Sequence, residues 1–131
     1  MPSDIILVVD DEPIVLKIVA AILTNAGFQV LAAASPADAL ETARRHPEGI
    51  RLLLSDVVMP GLGGPDLAEA FEDLHPETEW LFMAGLPDSP EVEERILHRG
   101  LAFLPKPFGA RTLLAKIDEV LGRRAASVAA G

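Results

Sequence analysis

The segment Ile5–Pro13, IILVVDDEP, decides how the rest of the chain is read. Its first five residues are apolar without a break, and all but Leu7 are β-branched. Such a run is too short for a buried helix and lacks the alternation of a half-solvated strand. It predicts a central strand of a parallel sheet, covered on both faces. Three acids follow at once, then a proline that suits the first turn of a helix, where carboxylates also meet the positive end of the helix dipole. A buried strand therefore passes directly into a helix, with charge concentrated at the junction.

The same punctuation recurs outward from this segment. Ile14 to Ala26 reads as a helix that Gly27 stops, with Gly27 at the position after the cap. Gln29 to Ala33 reads as a second strand. Ser35-Pro36-Ala37-Asp38 then supplies an N-cap, a proline in the first turn and an acid at the third helical position, opening a helix that stops near His46-Pro47. Arg51 to Ser55 is a third strand, followed by a loop rich in glycine and proline, DVVMPGLGGPD, and a helix from near Pro65 to Leu74. Trp80 to Met83 is a fourth strand, Pro90 to Arg99 a helix stopped by Gly100, Leu101 to Leu104 a fifth strand, and Arg111 to Leu121 the closing helix. Alternation of this kind predicts an α/β fold: a doubly wound parallel sheet of five strands with right-handed crossovers and helices on both faces.

With 131 residues and a mass of 14.0 kDa, the chain has the size of one domain, placed here over residues 4–122, with RRAASVAAG (123–131) as a frayed tail or linker. The chain has no cysteine, which excludes disulfides and thiolate metal sites. Its apolar runs are far shorter than the roughly 20 residues that cross a bilayer. An acid appears by Asp4, where a signal peptide carries basic residues. A formal net charge of −9 with no basic block disfavours nucleic acid and anionic membranes, and the absence of cysteine fits a reducing compartment, so the expectation is a cytoplasmic protein that binds no nucleic acid directly. The acidity itself serves either solubility or a clustered acidic site.

In a doubly wound sheet the functional site lies outside the carboxyl ends of the strands. Those ends carry Asp10, Asp11 and Glu12, then Asp56, then Ala84 and Gly85, then Lys106. Two carboxylates about 4 Å apart repel by roughly 4 kcal/mol at an effective dielectric near 20, so Asp10, Asp11 and Asp56 together call for a cation. An all-carboxylate donor set without histidine or cysteine selects a hard ion, Mg2+ before Ca2+ or Zn2+. With Lys106 as a second positive charge, these are the parts that stabilise a transferred phosphoryl group, and Asp56 is a candidate nucleophile to accept it. Taken singly, DDEP reads as a solvated helix start, Asp56 as a turn residue and Lys106 as a loop lysine. Their coincidence at the carboxyl ends of one sheet favours the site.

ILVVDDEPIV, LLLSDVVMPGLGGPDL, WLFMAG and AFLPKPF, in this order and spacing, resemble the receiver domain of bacterial two-component response regulators, in particular receivers of hybrid histidine kinases or single-domain receivers. The resemblance covers about residues 4–122. It implies a flavodoxin-like (βα)5 fold with strand order 2-1-3-4-5. It implies Asp56 as phosphoacceptor, and Asp10, Asp11, Asp56 and the backbone carbonyl of Val58 as Mg2+ ligands. Lys106 and the main chain at Gly85 would contact the phosphoryl group, and Phe103 would be the aromatic switch. Where the family pattern ends its fourth strand in Ser or Thr before glycine, this chain has Ala84. The hydroxyl that would link phosphate to Phe103 is missing, so either Gly85 and Lys106 suffice or conventional switching is lost.

The implied function is a phosphoacceptor in a two-component phosphorelay, taking a phosphoryl group from a histidine kinase or histidine phosphotransfer protein. Apart from its own phosphorylation and dephosphorylation, no enzymatic activity is expected. An interaction module that keeps the fold without the switch is one rival. A haloacid-dehalogenase-like phosphatase is another, although DDEPIV does not fit its D-x-D-x-[TV] motif. The first helix carries more apolar residues than one stripe needs. With Val15, Ile18, Val19 and Ile22 facing the sheet, Ile14, Leu16 and Leu23 are left over. Ile14 and Leu16 are the candidate docking residues for the histidine donor, unless the C-terminal tail covers them. His46, His75 and His98 are expected at the surface, Trp80 as packing or a partly exposed anchor, and Phe108 at the sheet rim.

Overall fold

The short apolar runs expected as strands form strands, and these all point the same way. In a computed structural model describing residues 5–47, 49–56, 64–84, 102–105 and 108–122, the strands are β1 (Ile5–Val9), β2 (Gln29–Ala33), β3 (Leu52–Asp56), β4 (Glu79–Ala84) and β5 (Ala102–Pro105). They form one sheet in the order β2-β1-β3-β4-β5, and every neighbouring pair is parallel. The helices are α1 (Pro13–Asn25), α2 (Pro36–Arg44), α3 (Gly64–Leu74) and α4 (Ala110–Leu121). The architecture and strand order are those expected from the sequence, with element ends displaced by a residue or two. The helix expected over Pro90–Arg99 and the tail from 123 onward lie outside the described residues.

Local chemistry explains the helix ends. The Ser35 hydroxyl accepts the Asp38 amide at 3.1 Å, with Pro36 in the first turn, so α2 begins on the expected cap. At the end of α1, Gly27 takes φ +100°. Its amide donates to the Thr24 carbonyl while the Phe28 amide donates to the Leu23 carbonyl, a Schellman closure that needs a left-handed residue at Gly27. Gly122 ends α4 in the same conformation, at φ +68°.

Strand alternation sorts the core into two layers. On one face Ile6, Val8, Leu52, Leu54, Leu81, Met83 and Leu104 pack against Val19 and Leu23 of α1 and Leu113, Ile117 and Leu121 of α4. On the other, Leu7, Val9 and Leu53 pack against Ala39 and Ala43 of α2 and Leu67 and Phe71 of α3. Residues Ile6 to Val9 and Leu52 to Leu54 have no exposed surface, which is why β1 and β3 are apolar at consecutive positions instead of alternate ones. Trp80 packs edge-to-face on Phe71 (5.4 Å, 81°) and stacks on Phe82 (6.4 Å, 14°), so it serves packing. Phe108 is partly buried against the first layer.

Two expectations require correction. In α1, Val15, Val19 and Ile22 pack against the core as expected, but Leu16 and the fully buried Leu23 join them, whereas Ile18 is 55% and Ile14 74% exposed. Because nearly every position from Ile14 to Leu23 is apolar, two overlapping stripes are equally available in the sequence. Contact with β1 and β2 selects the one containing Leu23. Ile18, not Leu16 or Leu23, is therefore the surplus residue that accompanies Ile14.

The second correction concerns His75, which is buried with 5% exposure instead of lying on the surface. Its Nε2 lies 2.8 Å from the Ala43 carbonyl and its ring packs 5.5 Å from that of Phe71, tying the end of α3 to α2. His46 is partly buried, with Nδ1 2.9 Å from the Thr42 carbonyl, and His98 lies outside the described residues.

The amino ends of the strands are closed by structural hydrogen bonds. Thr78 donates its hydroxyl to the Ile50 carbonyl at 2.6 Å, and Arg51 donates from Nη2 to the Leu121 carbonyl at 3.2 Å, capping α4. Asp10, Asp11 and Asp56 lie at the opposite edge. The α1 correction has a direct check in urea denaturation. Leu23→Ala is expected to cost about 2 to 5 kcal/mol, whereas Ile18→Ala stays within about 0.5 kcal/mol of the native protein. The reverse order would contradict the helix orientation.

Candidate functional site

Sheet register brings the acids together. β1 and β3 are neighbours with Val9 opposite Ser55, so the residues that follow, Asp10 and Asp56, emerge side by side at the carboxyl edge. This is also where the strand order reverses direction, β2 lying on one side of β1 and β3 on the other, the position at which doubly wound sheets carry their sites. Asp10 is held in place by its own main chain, its amide donating to the Ala33 carbonyl of β2 at 3.2 Å.

Burial of the three acids differs. Asp10 has no exposed surface, Asp56 is 7% exposed, and Asp11 is open to solvent. Asp10 Oδ1 accepts the Glu12 amide at 2.9 Å, closing a two-residue turn between β1 and α1. Each of Asp10, Asp11 and Asp56 offers one carboxylate oxygen, and these oxygens all lie within 4.8 Å of one another.

Carboxylates at that separation repel by roughly 3 kcal/mol per pair at an effective dielectric near 20, and burial of two of them limits the relief that water gives. The donor set is hard oxygen throughout. Ligand oxygens around an octahedral Mg2+ at 2.0 to 2.1 Å stand about 3 to 4 Å apart, so the cluster closes on such an ion by small side-chain rotations, with solvent on the Asp11 side for the waters that Mg2+ retains. The residues present therefore fit a divalent cation of the Mg2+ type.

Of the residues expected at the site, Asp10, Asp11 and Asp56 are brought together. Val58, Gly85 and Lys106 lie outside the described residues. Ala84 and Phe103 are described as main chain only: Ala84 is the last residue of β4, in register with Pro105, and Phe103 lies in β5 opposite Phe82. Ile14 stands exposed in the first turn of α1, directly after the acids, and Ile18 follows one turn later; Leu16 belongs to the core-facing side. One residue at the site was not anticipated. Ser55, fully buried beside Asp56, donates its hydroxyl to the Asp56 main-chain carbonyl at 2.9 Å. Its signal in the sequence is slight, a single hydroxyl closing a run of leucines.

Comparison with known proteins agrees with this geometry. Residues 6–118 match the family model described as response regulator receiver domain. The chain is 30% identical over 122 residues to the sensor kinase CckA of Brucella abortus (strain 2308), a match covering 93% of this chain and 13% of that kinase's length. The crystal structure of the receiver domain from the hybrid histidine kinase CckA is 32% identical with a TM-score of 0.74, covering 89% of this chain and 98% of that one. A CheY-like response regulator receiver domain protein from Methanospirillum hungatei JF-1 superposes with a TM-score of 0.83 at 30% identity, covering 95% and 98%.

The carboxylate cluster predicts a stability that depends on divalent cations. Mg2+ in millimolar excess is expected to raise the thermal midpoint of the native protein, because an ion that binds only the folded state stabilises it. Asp11→Asn should raise the midpoint in EDTA, by the equivalent of about 0.5 kcal/mol for an exposed charge, and blunt the response to Mg2+. A full Mg2+ response in Asp11→Asn would remove Asp11 from the cation site.

Proposed function

Because the chain belongs to the response regulator receiver domain family, we propose that it acts as a phosphoacceptor in a two-component phosphorelay, taking a phosphoryl group from a partner's phosphohistidine onto Asp56. The observation that carries this reading is the meeting of Asp56 with Asp10 and Asp11 at the carboxyl edge, within 4.8 Å. Asp56 is nearly buried at the end of a strand with no exposed leucine, so its carboxylate is held against the repulsion of its neighbours. That arrangement favours an acceptor whose charge is spread over an incoming group.

In the transfer, an oxygen of the Asp56 carboxylate forms a bond to phosphorus as the phosphorus–nitrogen bond of the phosphohistidine breaks, and the bonding pair returns to the imidazole. Water later attacks the acyl phosphate and restores the carboxylate and inorganic phosphate, unless the group is first passed to a second histidine. Bound Mg2+, held by Asp10, Asp11 and Asp56 with the Val58 carbonyl, would offset the negative charge of the phosphoryl oxygens. Asp10 contributes through one oxygen while the Glu12 amide holds the other, which fixes its orientation. By family resemblance, Lys106 and the Gly85 main chain contact the phosphoryl group. The chain does no further chemistry in this reading.

The donor is a histidine kinase or histidine phosphotransfer protein, in keeping with the likeness to a sensor kinase. Its docking surface includes the exposed pair Ile14 and Ile18, which flanks the acids on the outer side of α1. Among the described residues no helix is long and apolar enough to cross a membrane, and we place the domain in the cytoplasm. Ala84 cannot supply the hydroxyl that β4 carries in the family. One charge-assisted hydrogen bond, worth roughly 1.5 to 3 kcal/mol, is then missing from the link between phosphate and Phe103.

Incubation with a phosphohistidine donor or acetyl phosphate should label the native protein in a Mg2+-dependent manner, with no label above background in Asp56→Asn or in EDTA. Equal labelling of Asp56→Asn would overturn the assignment. Replacing both Ile14 and Ile18 by Asp should slow transfer from the protein donor about tenfold or more while acetyl phosphate labelling is unchanged; equal loss with both donors would remove these residues from docking. For the switch, Ala84→Thr with beryllofluoride and Mg2+ should shift the Phe103 ring resonances further than the native protein does. Identical shifts would show the position to be idle.

A further inference from the structure

Ser55 is the only hydroxyl in β3, at the end of three leucines and immediately before the acceptor. Its register partners are Val9 of β1 and Phe82 of β4, and all three residues have no exposed surface. A hydroxyl in such surroundings destabilises the fold unless it is bonded, and an apolar side chain would meet the packing need without that risk. The bond it makes is directed forward, to the main-chain carbonyl of Asp56 at 2.9 Å. That carbonyl belongs to the last residue of β3, so holding it restrains rotation about the Asp56 Cα–C bond and with it the frame from which the carboxylate projects. Of the three acids, Asp10 has its carboxylate held by the Glu12 amide. Asp56 has its main chain held from the opposite side of the sheet.

We propose that Ser55 is a positioning residue for the acceptor: through the Asp56 carbonyl, its hydroxyl keeps the Asp56 carboxylate aligned with Asp10 and Asp11. The phosphoryl-transfer part of this inference rests on Asp56 being the phosphoacceptor; the alignment of the cluster does not. Ser55 touches neither phosphate nor cation in this role. It acts from the face of the sheet covered by α2 and α3, while Asp56, the next residue along the strand, points to the other face.

The test uses the full chain and compares Ser55→Ala with Ser55→Thr, which keeps the hydroxyl. Half-saturating Mg2+, read from the Asp11 and Glu12 amide shifts in an NMR titration, should rise about threefold to tenfold in Ser55→Ala and return toward the native value in Ser55→Thr. Labelling by acetyl phosphate at limiting Mg2+ should fall by a similar factor and recover in the same variant. A residue that only fills space would lower the thermal midpoint without moving half-saturation, and that result overturns the proposal. So does a loss in Ser55→Ala that Ser55→Thr leaves uncorrected, because the hydroxyl is then not the operative group. If the native protein binds Mg2+ in a Ser55-dependent manner yet takes no phosphate, the phosphoacceptor reading fails and the positioning role stands.

Discussion

The register between β1 and β3 is the constraint on which the rest of the structure depends. With Val9 opposite Ser55, two strands that are buried along almost their whole length deliver Asp10 and Asp56 to one point. A slip of one residue would turn each core side chain to the wrong face, so the hydrophobic layers hold that register strongly. The same burial resists the repulsion among the acids, which would otherwise drive the strand ends apart. Carboxylates can be crowded at the edge because the core beneath them cannot yield cheaply.

This constraint gives the two ends of the sheet different roles. At the amino ends, polar groups are consumed in structure: Thr78 on the Ile50 carbonyl, Arg51 on the Leu121 carbonyl and His75 on the Ala43 carbonyl. At the carboxyl ends, main-chain and hydroxyl bonds from Glu12 and Ser55 orient the acids and leave carboxylate oxygens facing one another. α1 starts at this edge, which sets the exposed Ile14 and Ile18 beside the acids. The three carboxylates and the exposed apolar pair are thus gathered at one edge by the β1–β3 register and the junction of β1 with α1.

The parts of the fold that were legible are those whose signal is local. Short unbroken apolar runs marked the buried strands β1 and β3, Ser35 with Pro36 marked a helix start, and Gly27 marked a helix stop, because each requirement is met within a few residues. The orientation of α1 was not legible. Its apolar positions fit two stripes, and only packing against β1 and β2 buries Leu23 and leaves Ile18 in water. The burial of His75 was not legible for a similar reason: the partners that bury it, Ala43 and Phe71, include one from a helix far away in sequence.

By itself the sequence determined the fold class, the alternation of elements and the identity of the acids at the strand ends, since those follow from side-chain type and short-range spacing. It also determined that Ala84 brings no hydroxyl to the edge. Only the tertiary structure decided that Asp10, Asp11 and Asp56 share one site, that Ile14 is joined by Ile18 on the outer face, and that Ser55 bonds to the main chain of Asp56. These depend on distances between groups that the chain brings together only when parallel strands align. No local propensity carries that information.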